Sequence, residues 1–311
     1  MHLSVIIVAY NEEKNIKSCI ASIFKLLDQS NLDFEVILVD SSSEDKTLEI
    51  VRKYDVKILS LLNFRSPSTA KYIGFINSTG DALLFLDGDM ELIMDKEDLE
   101  NCLNNVNNRG YAGVQGSLED FINGSRFQTL RKVSNLVDVD YLPGSAFYSR
   151  EALESQVFNP NLNSNEEREL GYRLKKSGYK MAILPFDMVK HKRRNNLGGF
   201  SEIKRRYSNN YYLGLGQVFR SNLFSYLLFK HMIDQMVPFL FFLSFLGFIT
   251  SFYFSLFEIA NAIALIHFMA IFYYLGRYLS LSRYIDKYVY LWGIIYGFLT
   301  YKIIKIEYEM V

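Results

Sequence analysis

Four short apolar runs, each closed by a polar cluster, dominate the first ninety residues and limit what this chain can fold into. Leu3–Ala9, Phe34–Val39, Val56–Leu61 and Ala82–Leu86 are rich in Val, Ile and Leu with little polar alternation, the pattern of strands buried on both faces of a parallel sheet. Between the first two, Asn11-Glu12-Glu13 opens a segment in which Ile16, Ile20, Ile23, Phe24 and Leu27 recur at helical spacing. Thr47–Tyr54 and Ser68–Asn77 read as two further helices, the latter stopped by Ser78-Thr79-Gly80. Strands alternating with helices predict an α/β fold, an open parallel sheet with helices on both faces. Such sheets bind ligands beyond the carboxyl ends of their strands. Three polar clusters fall at those ends: Tyr10-Asn11-Glu12, Asp40-Ser41-Ser42-Ser43 and Asp87-Gly88-Asp89.

Farther along, the chain changes character. Gln235–Phe257, Ile259–Gly276 and Tyr288–Tyr301 carry no charged residue apart from the intervening Glu258 and the basic segment before Tyr288. A spanning helix needs about 20 apolar residues, so two or three membrane spans are expected, at about 235–257, 259–276 and 286–304. Arg277, Arg283 and Lys287, and before them Lys192, Arg193, Arg194, Lys204, Arg205 and Arg206, place the flanking segments in the cytoplasm by the positive-inside rule. Asn222–Met232 has the composition of a helix lying on the membrane surface. The expected division is a catalytic domain over 1–220 and a membrane-associated helical region over 221–311. Met1-His2-Leu3-Ser4 lacks the basic n-region of a signal peptide. An inner-membrane location with the N-terminal domain in the cytoplasm follows. The net charge of zero is uninformative about partners, and no nucleic-acid partner is expected. Cys19 and Cys102 stand alone and read as buried thiols.

Asp87-Gly88-Asp89 carries the chemistry most directly. Two carboxylates flank a glycine where a buried strand ends, and the turn after the strand can bring both to one ion. Their hard oxygens suit Mn²⁺ or Mg²⁺. A glycine between them permits close backbone approach.

Five segments in order resemble the family 2 glycosyltransferases. These are Ser4-Val5-Ile6-Ile7-Val8-Ala9-Tyr10-Asn11-Glu12-Glu13, Val39-Asp40-Ser41-Ser42-Ser43-Glu44-Asp45-Lys46-Thr47, Ala70-Lys71-Tyr72-Ile73-Gly74, Gly80-Asp81 through Asp87-Gly88-Asp89, and Asn165-Glu166-Glu167-Arg168. The resemblance covers roughly residues 3–192. It implies the GT-A fold, with a mostly parallel sheet flanked by helices, and an inverting transfer of a sugar from a UDP- or GDP-sugar to a lipid-linked or glycan acceptor. It places Val8, Tyr10, Glu12 and Asp40 at the nucleoside, Lys71 toward the diphosphate, and Asp87, Gly88 and Asp89 at the metal-bound diphosphate. His191 falls near the metal, and Pro143-Gly144-Ser145-Ala146-Phe147 at the end of a strand lining the acceptor side.

Glu167 is the expected general base and Glu166 its neighbour, although the family's second acidic position is usually Asp, which leaves the assignment between the two open. Each residue also has a plainer reading: Asp40 a turn or capping aspartate, Tyr10 core packing, Glu12 a helix-dipole partner, Lys71 a solvated lysine, His191 a loop histidine, Glu166-Glu167 an acidic helix start. The chain departs from the family in having one aspartate at the second strand end and no Gln-x-x-Arg-Trp segment. The latter favours a single-sugar transferase over a processive synthase. A polyprenyl-phosphate sugar synthase is the nearest alternative. A nucleotidyltransferase lacks its usual Gly-rich loop at Val8–Glu12, and a non-catalytic membrane scaffold sits poorly with intact acidic residues.

Overall fold

The computed structural model describes residues 2–122, 124–192, 199–223, 225, 229–230, 236–278 and 281–311, without the side chains of 236–239, 241–242, 245, 270–281 and 283–284. It divides into two compact units, Met1–Asn196 with Ile303–Val311, and Leu197–Lys302.

In the first unit the order is β1 (His2–Ala9), α1 (Ile16–Leu27), β2 (Asp33–Asp40), α2 (Thr47–Val51), β3 (Lys57–Leu61), α3 (Pro67–Ile76), β4 (Ala82–Asp87), β5 (Met90–Leu92), α4 (Lys96–Asn107), β6 (Tyr111–Ile122), β7 (Ser125–Leu130), β8 (Val137–Val139), β9 (Ala146–Ser149), α5 (Arg150–Ser155), α6 (Glu166–Lys176) and β10 (Lys180–Lys192). The second unit contributes α7 (Phe200–Ser208), a 3-10 turn at Tyr211–Leu213, α8 (Gly214–Ser221), α9 (Met236–Tyr253), α10 (Phe257–Tyr278) and α11 (Leu281–Thr300). The chain then returns to the first unit as β11 (Tyr308–Met310).

Among the described residues the eleven strands lie in one sheet, ordered β11-β3-β2-β1-β4-β9-β6-β10-β5, with β7 on β6 and β8 on β10. The strands legible in the sequence pair in parallel: β1 with β2 and β4, and β2 with β3. Past Asp87 the expectation of a mostly parallel sheet fails, and the sheet is mixed. β9 runs antiparallel to both β4 and β6, β5 to β10, and β11 to β3, while β6 and β10 are parallel. The cause lies in the connections. β6 turns straight into β7, and so short a link permits only an antiparallel partner, whereas β5, β9 and β11 take partners that are not their neighbours in sequence.

Period-two alternation sorts the side chains between two cores. Leu3, Val5 and Ile7 of β1 and Ala82, Leu84 and Leu86 of β4 pack with α1 and α4. Ile6, Leu83 and Phe85 pack on the other face with Ala70 and Ile73 of α3 and Leu170 and Leu174 of α6. Burying each of these Leu and Ile side chains contributes about 1.5–3 kcal/mol. The same parity has a chemical consequence. Asp87 continues the series Leu83–Phe85, so it emerges on the face covered by the two helices that carry Lys71, Glu166 and Glu167.

The helix expected from Asn11 starts instead at Ile16. Asn11 is left-handed, at φ 54°, a conformation Asn tolerates. The backbone N–H groups of Asn11, Glu12 and Glu13 then donate to Ser43 Oγ, Thr47 Oγ1 and Asp45 Oδ2 at 2.8, 2.7 and 3.1 Å. These bonds join the first two strand-end loops. Pro143–Ser145 precedes β9 rather than closing a strand.

In the second unit α11 is met at backbone distance by α8, where Gly216 faces Ile294 and Phe298, and by the 3-10 turn, where Gly293 and Gly297 face Tyr212 and Leu213; none of the three glycines has room for a side chain. This packing is why α7 and α8 group with the later helices, so that the unit boundary falls at 196/197 while the expected domain limit stands at 220. The expected spans overlap α9, α10 and α11. Among the described residues no helix is long and apolar enough to cross a membrane. Gln235 at the start of the first span, most of the surface helix expected at 222–232, and Arg193 and Arg194 lie outside the described residues, and of the second span the side chains from 270 on do.

Candidate active site

The end of the site expected to meet the nucleoside is built from the loops after β1 and β2. Asp40 is fully buried, and its carboxylate accepts Ser43 N–H at 2.8 Å and Ser43 Oγ at 2.5 Å. It therefore makes the turn of the plainer reading, and that turn places it beside Ala9 O, which accepts Ser41 N–H. Val8 sits between Val39 and Asp87 in register. Tyr10 is 45% exposed, so simple core packing does not account for it. Glu12 is buried, with Oε2 accepting from Asn15 Nδ2 at 2.9 Å. A Cβ on Gly88 would lie 3.1 Å from Glu12 Cγ, and Gly88 N–H donates to Val8 O. Glycine is what lets the acidic turn press against the first strand end.

Asp87 and Asp89 leave β4 together. Burial pushes the Asp87 carboxyl up, Lys71 pulls it back, and Asp89 pushes it up further. His191 lies on β10 opposite Met90 and Asp120. Its Nε2 is 3.2 Å from Asp89 Oδ2 and its Nδ1 is 2.9 Å from Asp120 Oδ1. Burial lowers the tendency of this ring to charge, but the two carboxylates prevail and raise its pKa to about 9. Asp120, which has no exposed surface, also accepts from Gln128 Nε2 at 2.5 Å. A buried carboxylate orienting a histidine toward a second carboxylate is the arrangement seen behind metal ligands. Among the described residues, no group of three or more His, Cys, Asp and Glu side chains could hold a metal ion by itself.

The third cluster joins α3 to α6. Lys71, 2% exposed, sends Nζ to Glu166 Oε1 at 3.0 Å and to Glu167 Oε1 at 2.5 Å, over the ring of Phe158 at 5.5 Å. It is therefore not a solvated lysine: it is the counter-ion of the carboxylate pair. Burial alone would lower the Lys71 pKa. Glu167, Glu166 and Asp87 hold it well above the ordinary value. Glu167 Oε1 also accepts the Gly144 N–H at 2.8 Å. Gly144 has φ 71°, a conformation that favours glycine, and this aims its N–H at the carboxylate. Burial pushes the Glu167 carboxyl up to about 7, against the pull of Lys71 and helped by Glu166. Asn165, left-handed at φ 64°, starts α6 and presents both glutamates from its first turn.

Removing Lys71 strands two buried carboxylates. Lys71→Met is expected to cost about 3–5 kcal/mol of stability, read as a lower urea midpoint. A loss below about 1 kcal/mol would mean the pair is not held as described.

Three features of this site were not anticipated from the sequence. Asp120 lies within β6 beside Glu119, outside every one of the five motifs. The Gly144 N–H has no side chain to announce it. Phe158 reads as an ordinary core residue. Lys192, one of the basic residues ahead of the uncharged stretches, pairs with Glu91 at 2.8 Å and donates to Ser18 Oγ at 2.8 Å.

Residues 4–177, more than half of the chain, match the family described as glycosyl transferase family 2. The chain is 28% identical over 164 residues to a 4,4'-diaponeurosporenoate glycosyltransferase of Staphylococcus haemolyticus, covering 51% of this chain and 42% of that protein. It is 33% identical over 95 residues to a dolichol-phosphate mannosyltransferase of Pyrococcus furiosus, covering 29% and 26%. The chain thus spans less than half the length of these relatives. Its fold is shared with S. aureus TarS in complex with UDP-GlcNAc, at a TM-score of 0.52 and 18% identity over 75% of this chain and 73% of that one. The family match spans all five motifs and the greater part of the sheet that brings their residues together, and the chain is a member of glycosyl transferase family 2.

Proposed function

We propose that this protein is an inverting, metal-dependent glycosyltransferase that moves a sugar from a UDP- or GDP-sugar to a lipid-linked or glycan acceptor, in cell-surface glycan assembly at the cytoplasmic face of a membrane. The observation that carries the reading is the Lys71–Glu166–Glu167 cluster. It holds a carboxyl with a pKa of about 7 close enough to Asp87 for the two to influence each other electrostatically. Val8, Tyr10, Glu12 and Asp40 frame the nucleoside. Asp87 and Asp89 fit Mn²⁺ or Mg²⁺: both offer hard oxygens, and Asp87 is raised first by burial and then by the like charge of Asp89, both of which a bound cation would offset. With only two protein carboxylates, the remaining ligands would come from the donor diphosphate and water. The ion, when bound, supplies charge that stabilises the departing nucleoside diphosphate.

Glu167 takes the proton from the acceptor hydroxyl as its oxygen bonds to the anomeric carbon and the bond to the diphosphate breaks. Both contacts of Glu167 fall on Oε1, so the other oxygen takes part in neither. Glu166, more deeply buried, shares Lys71 and keeps that lysine in place. His191, oriented by Asp120, supports Asp89. The membrane assignment is supported by the uncharged stretches of sequence and the basic segments beside them.

A thermal-shift screen with UDP-, GDP- and dTDP-sugars and Mn²⁺, followed by transfer assays on lipid-linked acceptors, tests the proposal. Stabilisation by one nucleotide class and transfer from it are expected. Neither binding nor donor hydrolysis across the panel would overturn it. A second reading, transfer directly to a polyprenyl phosphate, is favoured by similarity to proteins named dolichol-phosphate mannosyltransferase and dolichyl-phosphate beta-glucosyltransferase. Such an acceptor is already an anion and needs no base.

A further inference from the structure

The last nine residues return from the helical unit and dock on the first unit in an unusual way. β11 pairs antiparallel with β3 at the sheet edge, Tyr308 opposite Leu61. Leu62 N–H donates to Glu307 O at 2.9 Å. The Asn63 side chain acts as a further rung, giving Nδ2 to Lys305 O at 2.7 Å and accepting Glu307 N–H at 3.1 Å. Ile304 N–H donates to Asn161 Oδ1 at 2.7 Å. Little apolar surface is buried in exchange. Ile303, Met310 and Val311 are exposed, and Ile306 alone packs against the core from this segment. The tail is held by directional bonds rather than by the hydrophobic effect.

Asn161 is 7% exposed and ends a segment that reaches Lys71 in two ways. Phe158 lies under the Lys71 ammonium. The carbonyls of Asn159 and Pro160 accept Ser68 Oγ at 2.6 Å and Thr69 Oγ1 at 2.7 Å, both fully buried in the first turn of α3. That turn leads directly to Lys71.

We propose that residues 303–311 are a positioning strap: through Asn161 they fix the Phe158–Asn161 segment against α3, and so hold Lys71 between Glu166 and Glu167. The inference rests on the reading of that cluster as the acceptor-activating group. Asn161 is a positioning residue, since it acts through Phe158, Asn159 and Pro160 and touches no reacting atom.

The test uses the full chain, Asn161→Ala, Asn161→Asp and a truncation after Lys302. Amide hydrogen exchange over residues 67–76 is expected to quicken about threefold or more in Asn161→Ala and in the truncation, with α4 unchanged. The kcat is expected to fall about five- to tenfold with the donor KM within about twofold, since misplacing a catalytic group costs rate rather than binding. Asn161→Asp keeps the acceptor oxygen and should retain both properties. Combining Asn161→Ala with the truncation should add little, because both remove the same link. Should the truncated chain not fold, Asn161→Ala carries the test. Unchanged exchange in α3, fully additive effects, or equal damage from Asn161→Asp and Asn161→Ala would each overturn the proposal. If the wild type neither transfers sugar nor hydrolyses donor, the activity reading fails, and the exchange data alone decide on the strap.

Discussion

Asp89→Ala is expected to abolish metal-dependent nucleotide binding and to reduce turnover about 10³-fold or more, because on the proposed reading Asp89 is one of the two carboxylates that would hold the ion. The variant should remain folded. The Asp89 side chain is about one-fifth exposed, and its recorded side-chain contact is the 3.2 Å approach of His191 Nε2. Its removal also relieves Asp87 of the nearest like charge, so the Asp87 carboxyl should titrate lower than in the wild type. Calorimetry with UDP or GDP, with and without Mn²⁺, gives the decisive comparison. The wild type should bind more tightly with the ion and the variant should show no difference. Full Mn²⁺-dependent binding by Asp89→Ala would remove the acidic turn from the donor site. Asp120→Asn offers a graded version: it keeps the shape behind His191 but removes its charge partner, and Mn²⁺ affinity should fall about 10–100-fold.

The half of the fold that carries the donor motifs was legible because each of its strands is buried on both faces and each helix between them is amphipathic. Val5 and Ile6 need only be apolar and β-branched for β1 to be recognised, and parity then decides that Asp87 shares a face with α3. The other half was not legible, for physical reasons that differ by residue. Asn11 looks like a helix opener, and only the three N–H groups it directs at Ser43, Asp45 and Thr47 show that it starts a clamp. β9 pairs antiparallel with strands far away in sequence, and no local pattern encodes that. The candidate site divides the same way. Asp87, Asp89, Glu166 and Glu167 stand in motifs whose order along the chain predicts their convergence. Lys71 was recognised, but its pairing with Glu166 and Glu167 was not, because a lysine's charge suits a phosphate and a glutamate equally well and only the fold brings α6 to α3. Asp120 and the Gly144 N–H act through backbone pairing and turn geometry, which leave no sequence signal at this distance.

Glu167→Gln is expected to lower kcat about 10²–10⁴-fold while the donor KM stays within about threefold. The amide keeps the volume and an acceptor oxygen for the Gly144 N–H, and Lys71 retains Glu166 at 3.0 Å, so one buried ion pair survives and the fold with it. The pH profile adds an independent signature. Burial raises the Glu167 carboxyl to about 7, and the base is its ionised form. Below that pH the protonated form dominates, and kcat/KM should fall about tenfold per unit. Above it the rate should level off. The limb belongs to the Lys71–Glu166–Glu167 cluster as a coupled group, yet it should vanish in Glu167→Gln, where the carboxyl that must lose its proton is gone. Glu166→Gln should keep the limb and move its midpoint down, because Glu166 is one of the charges that raises Glu167. The same variants separate the two acceptor chemistries. If the acceptor is a polyprenyl phosphate, Glu167→Gln should cost less than about tenfold and the acidic limb should be unaltered, because a phosphate anion attacks without surrendering a proton. A large loss with the limb abolished identifies a hydroxyl acceptor and Glu167 as the group that deprotonates it.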